Sequence, residues 1–452
     1  MKGIRGTFLD FLADPYYTDE TEAIRYLRDG LLVIDGEKIK DFGPWEQLSQ
    51  RYPDLEVTTY KDRLILPGLI DTHIHYPQTE MVAAYGEQLL EWLEKYIFPT
   101  ELQFRDKLHA RKIADVFLDL LLANGTTTAQ VFTTTFAQSV DAFFEACTER
   151  NICMIAGLTG MDRPGLAPEE YLDTAETFYV NSKDLIERWH NKGRNKYAIS
   201  PRFALGSTQE QLDCCGKLKG EYPDTWVNTH MSENRKEIAQ VAEVFPDAKD
   251  YLNVYERAGI VGPKFTAGHS IHLDNDCWHR MAQSDASVSF CPASNLFLGS
   301  GLFLIEKAKS VETPVRTGLG TDMGAGDTFS IFRVLNSAYK VSALQNQKMG
   351  VFKGLYLATL GGAKSLHLDH EIGSFDPGKF ADFIVTNPKV TSVLAMRAAR
   401  AAIDPGSSEE EQARERLAHE AFGMMILGDE RPVEATYISG QLLYKKTSNL
   451  IG

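Results

Sequence analysis

The chain has 452 residues, 43% of them hydrophobic and 24% charged, with a formal net charge of −15. That length exceeds one ordinary domain, and the composition is that of a soluble globular protein. An acidic surface repels phosphate backbones, which argues against nucleic acid or an anionic membrane as partner, while a small neutral substrate is not penalised.

The first segment, MKGIRGTFLDFLADP, has no apolar h-region and no cleavage pattern, so no signal peptide is expected. No uninterrupted apolar stretch is long enough to span a bilayer. The first ~65 residues read as strands and turns. The runs 30–36 (GLLVIDG) and 37–43 (EKIKDFG) predict a hairpin turning near Asp35 and Gly36.

The middle of the chain alternates. A strand near 64–72 is followed by apolar strands at 126–132, 152–158, 197–203, 225–229, 264–268, 287–291 and 315–319. Helical patterns such as 106–123 and 139–150 separate them. Strand and helix alternating through roughly 300 residues predict an α/β fold, a (β/α)₈ TIM barrel. Late in the chain, 373–385 reads as a turn leading into a strand and 435–444 as a second hairpin, so both chain ends are expected to build one small β-sandwich. The expected division is 1–66 and 375–452 for the sandwich, with a helix in the latter, and 67–374 for the barrel. The patch 407–416 (SSEEEQARER) is the solvated start of that helix, and its apolar end AFGMMIL is expected to pack.

The cysteines, Cys147, Cys153, Cys214, Cys215, Cys277 and Cys291, form no CxxC pair, and the adjacent Cys214 and Cys215 are poorly placed for a disulfide. A reducing, cytoplasmic setting is expected.

Barrel active sites lie at the C-terminal strand ends, where this chain repeatedly places polar residues. PGLIDTHIHYP (67–77) puts His73 and His75 at i and i+2 of a strand, hence on one face. The later strands end in Arg202 and Phe203, in His230 with Glu233 three residues on, in His269, in the Pro292–Asn295 segment, and in Asp322. A lone histidine at a strand end is more often a hydrogen-bonded structural residue. Three or four imidazoles and a carboxylate converging on one barrel mouth instead make a good site for a borderline divalent metal. The segment GLGTDMG (318–324) has GxGxxxG spacing and no acidic partner in a βαβ context, which excludes a dinucleotide loop. His109, His190, His279, His367, His370 and His419 read as structural, and His272 as a residue that could support the site from behind.

The sequence resembles the amidohydrolase superfamily and, within it, the guanine deaminases. The resemblance rests on PGLIDTHIHYPQ (67–78), AYGEQLLEWLEKYIFPTE (84–101), PRFA (201–204), THMSEN (229–234), SFCPASNLFLGSG (289–301), GLGTDMGAG (318–326) and ATLGGAKSLHL (358–368). It spans nearly the whole chain. Gly268 and the LHL at 366–368 depart from it without touching the proposed chemistry. The resemblance implies hydrolytic deamination of guanine to xanthine and ammonia by metal-activated water. His73, His75, His230 and Asp322 would hold the metal, His269 would contact the water, and Glu233 would shuttle protons. Gln78, Arg202 and Phe203 would line the purine pocket with Glu233, and 89–92 would help cover it. For Arg202 the alternative is a salt bridge to a barrel-rim carboxylate. No lysine is placed to bridge two metals, so one Zn²⁺ per chain is expected, with Fe²⁺ the other choice, in a homodimer.

Rival substrates on the same scaffold are 8-oxoguanine, cytosine, thiomethyladenosine and triazines, since fold does not fix substrate. The nucleic-acid deaminase class needs HxE and PCxxC, which this chain lacks. A non-catalytic assembly protein would not keep every ligand position filled.

Overall fold

The computed structural model describes residues 1–85, 89–400 and 406–447. Eight parallel strands form the barrel wall, in sequence order: Leu69–His75, Thr126–Phe132, Cys153–Gly157, Lys196–Pro201, Trp226–Met231, Phe265–His269, Ser287–Phe290 and Arg316–Leu319. The short strand Thr159–Gly160 prolongs the third and pairs with Ser200 and Pro201. Every residue of Leu69–His75 and of Thr126–Phe132 is buried, as expected of strands covered on both faces. Helix Lys107–Ala123 shows how the outer ring is specified. Asp106 caps it by accepting from the Leu108 amide at 2.9 Å. Ala110, Ile113, Ala114, Phe117, Leu118, Leu121 and Leu122 then recur at helical spacing along its buried face.

The eighth strand meets the first through polar side chains and one backbone contact. Thr72 Oγ1 donates to the Leu319 carbonyl at 3.0 Å, Thr321 Oγ1 donates to Asp71 at 2.5 Å, and the Asp322 amide donates to the His73 carbonyl at 2.8 Å. The bonds that close the barrel therefore also set Asp322 beside His73.

Both chain ends enter a second sheet, as expected. It has seven strands in the order Gln441–Lys445, Val433–Ile438, Phe383–Thr386, Val57–Pro67, Lys2–Phe11, Ile24–Asp35 and Lys38–Pro44. The hairpin turns at Gly36, whose φ is +61°. Ile4, Phe8, Leu32, Ile34, Ile65, Phe375 and Phe383 share one core in this sheet. Its central strand Val57–Pro67 runs through Gly68 directly into the first barrel strand. A Cβ at Gly68 would lie 1.9 Å from Thr127 Oγ1, so only glycine fits this junction.

Helix Glu409–Leu427 begins with a capping box between Ser408 and Glu411, and its first residues are exposed. At its far end Ala421, Met424 and Met425 are buried against helices Ile331–Leu344 and Val351–Ala358. No described helix is long and apolar enough to cross a membrane. All six cysteines are unpaired.

Candidate metal centre

The strand period delivers His73 and His75 to one face, and three more chain segments bring their groups to the same point. His230 lies in the fifth strand, His269 ends the sixth, and Asp322 lies three residues beyond the eighth. His269, Ser270 and Asp322 have φ of +64°, +52° and +47°, and Ser232 beside Glu233 has +52°. Non-glycine residues rarely adopt this region, and such strain concentrates at functional sites.

His73 Nε2 and His75 Nε2 each lie 3.2 Å from His230 Nε2. Asp322 Oδ1 is 3.5 Å from the first and 3.4 Å from the second. Hydrogen bonding alone does not account for this crowding. The Arg202 carbonyl lies 2.7 Å from His230 Nδ1 and must receive a proton from it. His230 Nε2 is then a single lone pair facing two other ring nitrogens. A tetrahedral ion with bonds of ~2.0–2.1 Å would set its donors ~3.3–3.4 Å apart, close to the spacing observed. The residues therefore fit a divalent ion. The donor atoms of His73, His230, His269 and Asp322 also all fall within 4.8 Å of one another, so His269 borders the cluster.

The protonation states agree with this fit. Burial and the neighbouring imidazoles push His230 well down, and burial pushes His75 down. Burial likewise lowers His269 to about 3. Burial opposes the charge of Asp322, but His73 and His75 outweigh it and hold the carboxyl well below the usual range. Neutral imidazoles and an ionised carboxylate are the forms a metal requires. Phe132 stacks on the His75 ring, with centroids 4.7 Å apart, and Tyr255 donates to the His230 carbonyl at 2.8 Å.

Glu233 is 2% exposed, and burial, followed by Asp322 and Glu237, holds its carboxyl well above the usual range. Its Oε1 accepts from Ser300 Oγ at 2.9 Å, and its Oε2 lies 3.5 Å from His269 Nε2. Glu237 fixes the loop by accepting from the Glu233 and Asn234 amides at 3.1 Å and from Tyr251 at 2.6 Å. His272 Nε2 donates to the Ser300 carbonyl, 3.0 Å away, and so lies behind the residue that holds Glu233.

A cavity opens over the cluster. Its lining includes His75, His230, His269, Asp322 and Glu233 together with Gln78, Arg202 and Phe203. Trp92 and Leu93 contribute to the wall; the side chains of Leu89 and Leu90 from the expected cover, and the residues 86–88 before them, lie outside the described residues. The remaining histidines, His109, His190, His279, His367, His370 and His419, do not line the cavity.

Sequence reasoning missed Glu101. It is fully buried and faces Arg202, with Oε2 2.8 Å from Nη1 and Oε1 3.1 Å from Nη2. Gln78 Nε2 also donates to its Oε1 at 3.1 Å, and Tyr171 donates to Oε2. Arg202 thus has the carboxylate partner weighed as its alternative and lines the cavity as well. Of the five N–H donors of a guanidinium, three are engaged, two by Glu101 and one by Tyr171, which leaves two among the described contacts. Glu101 sits in the 84–101 stretch quoted above, but no periodicity there singles it out.

The amidohydrolase family pattern matches residues 64–442. The chain is 48% identical to the guanine deaminase of Escherichia coli (strain K12), over 99% of this chain and 98% of that one. A crystal structure of guanine deaminase from Bradyrhizobium japonicum superposes with a TM-score of 0.94 at 44% identity, covering 99% of each chain. Guanine deaminase from C. acetobutylicum, solved with guanine bound in the active site, gives a TM-score of 0.85 at 26% identity over 98% of this chain and all of that one. With its family pattern, its barrel and its cluster of histidines and aspartate in agreement, the chain belongs to the amidohydrolase family.

Proposed function

We propose that this chain hydrolyses guanine to xanthine and ammonia. The observation that carries the reading is a single cavity joining a metal-fitting cluster and a proton-bearing Glu233 to a polar wall of Gln78 and Arg202, in a chain similar along its whole length to enzymes named guanine deaminase.

His73, His75, His230 and Asp322 would hold one ion, and their imidazole and carboxylate donors suit zinc, with iron(II) also compatible. Such an ion supplies Lewis-acid activation, which makes water a nucleophile near neutral pH. Asp322 accepts the proton that the attacking water gives up. Glu233, kept protonated by burial, donates to the ring nitrogen beside C2 and makes that carbon more electrophilic. The carboxylate left on Glu233 takes up the proton of the new C2 hydroxyl as the proton held by Asp322 passes to the amine, so water adds oxygen at C2, ammonia leaves and both side chains are restored. A positioned acid/base of this kind is worth ~10²–10⁴ in rate.

Arg202 presents its two remaining N–H donors to the carbonyl side of the base. Gln78 is fixed through its Nε2 by Glu101, which leaves its Oε1 without a partner and available to a ring N–H. Phe203 supplies an aromatic face.

The test is ammonia release by purified, metal-analysed protein against guanine, 8-oxoguanine, adenine, cytosine and ammeline. Fast release from guanine alone with about one metal per chain is expected. Metal without guanine turnover would retain the centre and reject the substrate.

A further inference from the structure

We infer that Asn295 is a positioning residue that fixes His269 as the tautomer with its proton on Nε2, making His269 a hydrogen-bond donor to the reacting groups and withholding it from the metal. The inference rests on the reaction proposed above for its kinetic consequence. The tautomer itself is a separate physical claim.

His269 and Asn295 are each 1% exposed. The asparagine lies in the turn Pro292–Phe297 that follows the seventh strand. Its backbone is held at both ends, its amide donating to the Cys291 carbonyl at 3.0 Å and its carbonyl accepting from Ser300 at 2.9 Å. The side-chain Nδ2 lies 2.9 Å from His269 Nδ1. A side-chain amide nitrogen only donates, so His269 Nδ1 must be the bare nitrogen, and an uncharged imidazole then carries its proton on Nε2.

The other end of the ring agrees. His269 Nε2 has no hydrogen-bond partner, and it faces Glu233 Oε2 at 3.5 Å and Asp322 Oδ2 at 3.8 Å. A lone pair aimed at the ionised Asp322 oxygen would be repelled, whereas an N–H is attracted. The next residue back, Ser294, donates to Asp322 Oδ2 at 2.6 Å. One short turn therefore orients two groups of the site from behind, and the strand-end cluster divides into three imidazoles free to ligate and one that donates. His230 provides the contrast. Its Nδ1 meets a carbonyl oxygen, which fixes the opposite tautomer and leaves Nε2 bare.

The experiment uses zinc-loaded full-length protein with ¹⁵N-labelled histidine. The His269 ring signals, assigned by their loss in His269→Gln, are expected to show a neutral ring protonated on Nε2. Asn295→Asp replaces the donor with an acceptor of the same shape and moves the proton to Nδ1. Its kcat on guanine is expected to fall about 10²–10⁴-fold, the scale of losing a correctly oriented imidazole. Asn295→Ala, which removes the donor without imposing an acceptor, falls less. A purely structural asparagine predicts the reverse order, with the isosteric aspartate nearer to wild type. Wild-type His269 protonated on Nδ1, or Asn295→Asp at full kcat with its proton still on Nε2, would overturn the inference. Absence of guanine turnover in the wild type would reject the proposed reaction, while the ring signals would still decide the tautomer.

Discussion

Glu101→Ala is the sharpest probe of the substrate side of the cavity. Arg202 is 3% exposed and Glu101 is 0% exposed, so neither side chain can recover hydration when the other is lost. Removing the carboxylate takes two guanidinium contacts, at 2.8 and 3.1 Å, and leaves Tyr171 as the only described side-chain hydrogen-bond partner of a buried positive charge. Breaking a buried pair from one side typically costs ~3–5 kcal/mol. Glu101→Gln keeps the volume and one acceptor, and a loss of ~1–3 kcal/mol is expected. Gln78 loses its partner in Glu101→Ala, because its Nε2 bonds to the same oxygen as Arg202 Nη2. Urea unfolding should therefore show both variants destabilised, alanine more than glutamine. KM for guanine should rise about tenfold or more in Glu101→Gln, with metal content unchanged, because the cluster of His73, His75, His230 and Asp322 does not touch Glu101. Glu101→Ala unfolding within ~0.5 kcal/mol of wild type, with an unchanged KM, would refute this account of how the polar wall is held.

A Cβ at Gly324 would lie 1.9 Å from Gln78 Oε1 and 2.7 Å from its Cβ, at a φ of +124° that L residues rarely adopt. Gly324→Ala should thus displace Gln78 at a cost of ~1–3 kcal/mol, raising KM while metal analysis stays at the wild-type value; an unchanged KM would remove Gln78 from the pocket. Glu233→Gln should lose ~10²–10⁴ in kcat and keep its metal, and near-full activity would end the shuttle assignment. Away from the site, burial holds Asp173 up to about 8, against the opposing hydrogen bonds from Gln211 and Met161. An unfolded aspartate titrates near ~3.9. Between these values the folded chain keeps a proton that the unfolded chain has released. The stabilising contribution of this group is then full below the unfolded value and is lost as pH rises from about 4 to about 8, by at most ~1.4 kcal/mol per pH unit. Urea midpoints of Asp173→Asn should depend less on pH across this window than those of wild type, and parallel curves would reject the assignment.

The convergence of the histidines with Asp322 was legible because strand periodicity is a property of the sequence. An HxH pair on a buried strand, with His230, His269 and Asp322 at or just beyond later strand ends, is enough to make them converge once the barrel closes. Seven of the eight strand positions came within one or two residues for the same reason: 126–132 matches Thr126–Phe132, and 264–268 stands one residue from Phe265–His269; the first, expected near 64–72, is Leu69–His75, because the apolar run before it ends the strand Val57–Pro67 of the second sheet. Glu101 was not legible. It belongs to a run of short irregular helical turns between the first strand and helix Lys107–Ala123, and its meaning depends on Arg202 and Tyr171, which lie 101 and 70 residues away. Asn295 and Ser294 were visible as polar residues at a strand end. Their use was not, because a hydrogen bond to His269 Nδ1 rather than to a ligand or to solvent is decided by a turn geometry that spacing does not encode.

The surroundings of the buried carboxyls around the cavity explain why Glu233 keeps its proton where Asp322 does not. Glu101 faces a guanidinium, a phenol and an amide. Asp322 faces two imidazoles and the Ser294 hydroxyl. Glu237 has two backbone amides and the Tyr251 hydroxyl. Glu233 has one described donor, Ser300, and faces the charge of Asp322. A carboxylate is held ionised in a low-dielectric wall by the number and charge of its donors. Glu233 has the fewest, so it retains its proton where Asp322, two side chains away, does not. The pair thus splits into an acid and a base through their surroundings, which is the condition a hydrolytic deamination needs at one pH.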